Sequence, residues 1–197
     1  MKTADHLLLG QYLAEQCASP QLLRRRRIFL LGCVEPDCNV FSYLRGLRHY
    51  EKLRGHNAEN SSAFLLRCFA DFDRKALRSA WDYFRLGAML HYAADAFTAP
   101  HNNFWVGNLA EHCAYEAALH QKFRKLLASA HPEQIPYQEY APLHKSYCME
   151  VPGTETDFRY ILAACLSLMK KYSLRIAEPK GDRYEDFDHY RLVQACH

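Results

Sequence analysis

The chain has 197 residues, which is enough for one domain with a sizeable core. Hydrophobic residues make up 49% and charged residues 24%, a balance that excludes a disordered or fibrous chain. The net charge of +3 is too small to argue by itself for a nucleic-acid-binding protein.

Apolar periodicity predicts a succession of helices. The predicted helices run from about Ala4 to Cys17, from Pro20 to a break near Gly32–Asp37, from Ser61 or Ser62 past Phe69, from about Arg74 to Phe97, from about Gly107 to Ser129, from Thr154 past Tyr172, and from about Tyr184 to Ala195. Residues 35–60 and 131–153 are predicted loops, and Thr154 with Asp157 resembles a capping box. Alternation of period two is nearly absent, so we expect an all-α, single-domain, multi-helix bundle over residues 1–197.

The sequence also predicts where the protein resides. No apolar run approaches the roughly 18 residues of a transmembrane helix, and the first ten residues lack the apolar stretch of a secretory signal. We therefore expect a cytoplasmic protein, and we leave peripheral contact with a membrane open. The eight cysteines form no CxxC pair, so we expect reduced thiols that serve as small core residues.

The first candidate for chemistry is the pair His91 and Asp95, inside a strongly apolar segment. Residues four apart on a helix leave the same face. Burying a carboxylate and an imidazole costs free energy unless something pairs with them, and a cation satisfies both. Both are good zinc ligands. Taken alone, the pair also fits a hydrogen-bonded core pair or a surface pair.

A second pair, His112 and Glu116, repeats this spacing on the next long helix. His101 follows Pro100, where the chain turns and can lean back toward the first pair. Two such pairs on adjacent helices, with a histidine at the corner between them, predict a metal cluster across the bundle.

Three upstream residues carry a weaker signal. Asp37 follows an apolar helix, His56 lies in a predicted loop, and His6 lies on the first predicted helix. Taken alone, they fit a capping carboxylate, a surface histidine and a half-buried histidine.

The stretch Leu86–His101 reads LGxxLHYxxDxxxPxH and resembles the signature of the zinc-dependent phospholipase C family. The resemblance extends in order over about residues 6–116 and fits the helical remainder. It implies an all-helical fold of the zinc-dependent phospholipase C and single-strand nuclease type, with two or three zinc ions in a cleft. It also implies hydrolysis of a phosphoester substrate, with phospholipids among the candidates.

Carried over by position, the resemblance implies three sets of ligands, of which the first two share Asp95. They are Asp37, His56, His91 and Asp95 for one ion; Asp95, His6 and the N-terminus for a second; and His101, His112 and Glu116 for a third. His49 is an alternative to His56 as a ligand. We prefer His56, because His49 lies in a predicted helical turn. Met1 stands where secreted members have a tryptophan. Cys38 stands where toxin-like members have an aromatic choline-pocket residue, so choline specificity is not predicted.

The implied reaction is attack of water on phosphorus. Two zinc ions about 3.5–4 Å apart would lower the pKa of a shared water and neutralise charge on the phosphoryl oxygens. Asp37 is the predicted catalytic residue, because a carboxylate at the edge of the metals is placed to orient or deprotonate that water.

Several other chemistries are disfavoured by absent motifs. The chain contains no HExxH, no ExxH, no His-Asp dipeptide and no GxSxG, which disfavours zincin proteases, ferritin-like di-iron bundles, HD phosphohydrolases and serine hydrolases. Two alternatives stay open. One is the same chemistry on a nucleotide or nucleic acid, with Phe104 and Trp105 as candidate stacking residues, and the other is a non-catalytic metal-containing module. We expect no stable nucleic-acid partner.

Overall fold

The computed structural model describes residues 1–17, 19–38 and 58–176. This part of the chain is all-α, which confirms the predicted fold class. Its helices are α1 (Thr3–Cys17), α2 (Pro20–Arg24), α3 (Arg26–Cys38), α4 (Ala58–Arg74), α5 (Ala80–Ala96), α6 (Leu109–Ala128), α7 (Tyr140–Tyr147) and α8 (Thr154–Ser173). Short 3-10 turns cover Ala99–His101 and Pro132–Gln134. Among these residues, extended pairing is limited to an isolated bridge between Leu77 and Ile176.

Helix α5 forms the centre of the bundle, and every residue from Leu86 to Ala96 is buried. Its first turn carries a capping box, in which Ser79 and Asp82 each accept a hydrogen bond from the other's backbone N–H. This cap starts the helix at Ala80, whereas we predicted a start near Arg74. Helices α3, α4 and α8 pack around α5, so any polar side chain on α5 needs a partner from one of its neighbours.

Helices α3 and α5 approach each other at two glycines. A Cβ atom on Gly87 would lie 2.8 Å from the backbone nitrogen of Cys33, and one on Gly32 would lie 2.9 Å from the carbonyl carbon of Phe84. Backbone contact therefore requires glycine at both positions. The predicted helix break near Gly32 was wrong, because this glycine serves packing and the helix continues through it; the break lies at Arg25.

Helix α7 lies inside the predicted loop 131–153. Leu143 and Tyr147, one turn apart, are buried and hold the helix against the bundle. Four prolines in residues 131–153 favoured a loop, and the one that lies inside the helix is Pro142. It lies in the first turn, where the backbone N–H has no intrahelical acceptor, so proline costs little there.

The other predicted helix boundaries agree with the structure in part. Helix α4 begins at Ala58, slightly before the predicted serines, and α8 begins at Thr154 as expected. The predicted capping box was wrong, because Gly153 is the N-cap residue and no side chain caps the helix. The predicted helix over residues 184–195 lies outside the described residues.

The cysteine prediction holds in part. Every cysteine in the described ranges is a free thiol. Three are buried, as expected for core residues: Cys33, Cys68 and Cys165. Three are exposed, which contradicts the prediction: Cys38, Cys113 and Cys148. Within the described ranges, no helix combines the length and the hydropathy that crossing a bilayer requires.

Candidate metal centre

Three buried side chains from α1 and α5 form the first candidate site, which we call group 1 (His6, His91 and Asp95). His6 Nε2 lies 3.1 Å from Asp95 Oδ1, and His91 Nε2 lies 3.3 Å from Asp95 Oδ2. The two imidazole rings stack with their centroids 3.7 Å apart. One ligand atom from each residue lies within 4.8 Å of the others, so a single ion can contact all three.

Helix α3 orients His91. The His91 Nδ1–H donates to the carbonyl oxygen of Cys33 at 2.8 Å, because a carbonyl can only accept. The other ring nitrogen, Nε2, therefore faces Asp95. A hydrogen bond of this kind on the far ring nitrogen is typical of histidines that bind metal ions.

Asp37 lies beside group 1 at the end of α3. Its Oδ1 is 3.5 Å from His91 Nε2, and its buried Oδ2 has no hydrogen-bond partner among the described residues. We predicted a loop here, which was wrong. The helix continues through Pro36 to Cys38, because proline's fixed φ is helical even though its ring removes one hydrogen bond.

The second candidate site, group 2, consists of His101, His112 and Glu116. Glu116 Oε1 lies 3.1 Å from His101 Nε2 and 3.0 Å from His112 Nε2. His112 and Glu116 share one face of α6, as their spacing predicts, and the 3-10 turn after Thr98 brings His101 to them. His101 is buried, whereas the other two are half-buried.

The two groups adjoin at Asp95. Asp95 Oδ2 lies 3.9 Å from His101 Nδ1. The buried amino group of Met1 lies between the groups, 2.8 Å from Asp95 Oδ1 and 3.1 Å from Glu116 Oε1. The resemblance implied an N-terminus beside His6 and Asp95, and in the structure the amino group reaches Glu116 as well.

The electrostatics of the two groups favour ionised carboxylates. Burial opposes the charge of Asp95, but His101, the Met1 ammonium and His6 outweigh it and hold the Asp95 pKa well below its usual range. Burial likewise opposes the charge of Glu116, and hydrogen bonds from His101 and His112 lower its pKa. Burial favours a neutral Met1 amine, but Asp95 and Glu116 raise its pKa to about 10.

The pKa values of the two histidines of group 1 shift in opposite directions. Burial lowers the pKa of His6 to about 4, and the neighbouring His91 adds to this effect. Burial also opposes protonation of His91, but Asp95 outweighs it and raises the pKa of His91. The two carboxylates and His6 therefore have the protonation states that a divalent cation requires of its ligands, whereas a cation at group 1 would compete with the proton that Asp95 stabilises on His91.

The residues present fit zinc. Imidazole nitrogens and carboxylate oxygens are its usual ligands in catalytic sites. Six of the eight predicted ligands form groups 1 and 2, and Asp37 lies next to group 1. The remaining predicted ligand, His56, and its alternative His49 lie outside the described residues.

Sequence reasoning missed the residues that brace the turn between the two groups. Asn102 Nδ2 donates to the carbonyl oxygens of Ala96 and Thr98, each at 3.0 Å. His144 Nε2 lies 3.0 Å from Ala96 O and 3.2 Å from Asn102 Oδ1. The sequence carries no spacing signal for them, because they meet only through tertiary packing.

Comparison with known proteins fits this geometry. A family model described as zinc dependent phospholipase C matches residues 5–173. The chain belongs to the zinc-dependent phospholipase C family. Searches of curated proteins and of solved structures give no significant match. Family membership indicates a zinc-dependent hydrolase of phosphoesters. The prediction of one domain over residues 1–197 stays a prediction.

Proposed function

We propose that this chain is a zinc-dependent phosphodiester hydrolase of the phospholipase C type that binds two or three zinc ions. The observation that carries the proposal is the junction of groups 1 and 2 at Asp95, deep in the bundle of a chain from this family. Bound zinc would supply the positive charge that activates water as a nucleophile and stabilises charge on the phosphoryl oxygens.

The ligand set follows the two groups. His6, His91 and Asp95 would hold one ion, and His101, His112 and Glu116 would hold another. Asp95 would contribute to both sites, because its Oδ1 lies next to His6 and its Oδ2 lies near both His91 and His101. His91 enters the site already oriented by the carbonyl of Cys33, so little entropy is lost when it binds an ion.

Asp37 acts as the carboxylate that orients the attacking water or accepts its proton. It is half-buried at the margin of group 1, and its Oδ2 lacks a hydrogen-bond partner among the described residues. A carboxylate oxygen in this state is available to a water molecule near the metals. A general base of this kind contributes about 10²–10⁴-fold to a rate.

A phosphoester of a lipid headgroup is the substrate class we favour. The nucleic-acid alternative relies on Phe104 and Trp105 as stacking rings. In the structure the Phe104 ring packs on Tyr147 at 5.9 Å, and the Trp105 ring packs on Tyr115 at 5.2 Å. Both rings are half-buried, and each meets a tyrosine edge-to-face, as partly buried core rings do.

The test combines zinc content with hydrolysis. Purified protein is assayed by elemental analysis and against an aryl phosphodiester, phosphatidylcholine vesicles and single-stranded DNA. We expect zinc-dependent cleavage, lowered more than about 100-fold in His91→Ala and in His112→Ala. His131→Ala is the matched control, because His131 is exposed and pairs only with Glu133 in the described contacts.

Two results would contradict the proposal. A protein that carries zinc but cleaves none of the three substrates would be a non-catalytic metal-containing module. Cleavage confined to single-stranded DNA would establish the nuclease alternative on the same fold.

A further inference from the structure

Asp157 is a buried carboxylate in the first turn of α8, and its hydrogen-bond partners among the described residues lie outside groups 1 and 2. It is fully shielded from solvent and accepts three hydrogen bonds. The backbone N–H of Ala99 and the hydroxyl of Tyr115 both donate to Oδ2 at 2.9 Å. The hydroxyl of Tyr147 donates to Oδ1 at 2.8 Å.

Two of these donors are neighbours of group 2 in the chain. Ala99 lies two residues before His101, on the same 3-10 turn, and Tyr115 directly precedes Glu116 on α6. Both donate to the same oxygen atom. One oxygen of α8 therefore fixes the turn that carries His101 relative to the helix that carries Glu116.

Burying the carboxylate of Asp157 between α8, α6 and the turn costs free energy. A buried charge loses its hydration, and apolar residues of similar volume often stabilise a core as well or better. Burial accordingly raises the pKa of Asp157, although its three donors oppose that shift. Directional hydrogen bonds give what an apolar residue cannot, namely a specified position for each donor.

We propose that Asp157 is a positioning residue for group 2: its hydrogen bonds hold His101 and Glu116 at the separation that a shared metal ion needs. The proposal rests on the proposed function only in that group 2 binds zinc. Without Asp157 the turn and α6 lose their common anchor, and the 3.1 Å approach of His101 Nε2 to Glu116 Oε1 is no longer specified.

Asp82 offers a matched control. It is also a buried carboxylate in the first turn of a helix, and it accepts from Lys75, from two backbone N–H groups and from Ser79. It lies at the opposite end of α5 from Asp95, and its partners Lys75, Arg78 and Ser79 are all far along the chain from the group 2 residues. Loss of its charge should lower stability without changing the zinc site.

The experiment compares Asp157→Asn with Asp82→Asn in the full chain. Zinc transfer to a chromogenic chelator gives the affinity, and thermal unfolding of the chelated protein gives the stability. We expect both variants to unfold at a lower temperature, but only Asp157→Asn to release one zinc ion about 10–100-fold more readily. Equal zinc release from Asp157→Asn and Asp82→Asn would overturn the positioning role.

A second pair of variants serves if Asp157→Asn does not fold. Tyr115→Phe and Tyr147→Phe each remove one hydroxyl donor to Asp157 and keep the ring. Only Tyr115 lies on a helix that carries group 2 ligands, so Tyr115→Phe should weaken zinc retention more than Tyr147→Phe does. Equal retention in the two variants would also overturn the proposal.

A double variant assigns the effect to group 2. In a His112→Ala background this site is already impaired, so adding Asp157→Asn should change the release of the remaining zinc less than twofold. A further large loss would show that Asp157 acts elsewhere and would refute the assignment. Zinc retention needs no substrate, so a wild-type protein that binds zinc without hydrolysis overturns the proposed function and not this one.

Discussion

Gly87→Ala tests whether the close approach of α3 and α5 is needed to form the candidate metal centre. The new Cβ would lie 2.8 Å from Cys33 N and closer still to Phe29 O, whereas ordinary contacts of carbon are roughly 3.5 Å. The two helices would have to separate by roughly 1 Å. Overpacking of this kind costs about 1–3 kcal/mol. For a chain of this size, that cost lowers the Tm by roughly 2–12 °C.

The sign of this result is diagnostic. Without a clash, replacing glycine by alanine inside a helix stabilises a protein by about 0.5–1 kcal/mol. The separation would also lengthen the hydrogen bond from His91 Nδ1 to Cys33 O, which is 2.8 Å. We therefore expect Gly87→Ala to melt earlier and to lose zinc about 10-fold more readily.

The assay is thermal unfolding by circular dichroism, with and without chelator, together with zinc transfer to a chromogenic chelator. Gly153→Ala is the control, because its Cβ would meet nothing closer than Thr156 Oγ1 at 3.9 Å. Its backbone is extended, so alanine is not strained there. An unchanged or raised Tm for Gly87→Ala would refute the reasoning about this helix contact.

Three further predictions follow from the same structure. Asp37→Asn should reduce turnover of an aryl phosphodiester about 100-fold or more while shifting the Tm by less than about 2 °C, and equal turnover would remove Asp37 from the mechanism. Chelation should lower the Tm of the wild type by roughly 5–11 °C if free zinc stands at about 100 times its Kd, and leaving the Tm unchanged would contradict metal-linked stability. At Asp82, burial favours the neutral acid, but hydrogen bonds led by Lys75 outweigh it and lower the pKa below the ordinary 3.8. The stabilisation by ionised Asp82 is therefore present above pH 3.8 and lost as the pH falls through the folded-state pKa. In urea unfolding, the difference in unfolding free energy between wild type and Asp82→Asn should narrow from about pH 6 to about pH 3. A constant difference would contradict the assigned charge.

Much of the candidate site could be predicted because its signals are local. His91 with Asp95 and His112 with Glu116 are each one helical turn apart, so their shared faces follow from the geometry of any α-helix. Their apolar surroundings marked them as costly unless paired. His101 followed from its place after Pro100, and His6 entered through the family resemblance.

Other features could not be predicted because their signals are not local. We predicted a helix end near Gly32, because glycine lowers helix propensity. The sequence does not distinguish a glycine that ends a helix from one that lets a neighbouring helix backbone come close. Asp157 looked like a capping residue, since a carboxylate near a helix N-terminus usually serves there. The four prolines of residues 131–153 favoured a loop, whereas α7 forms there because Leu143 and Tyr147 are buried against the bundle.

By itself, the sequence determined the all-α class, the family and which side chains are suited to bind zinc, because these depend on periodicity, residue chemistry and short motifs. Only the tertiary structure decided that six candidate ligands form two groups that adjoin at Asp95, with Asp37 beside them. It also decided that Asp157 reaches Ala99 and Tyr115 across the bundle. Contacts between residues tens of positions apart depend on how helices pack, and no local spacing encodes that packing.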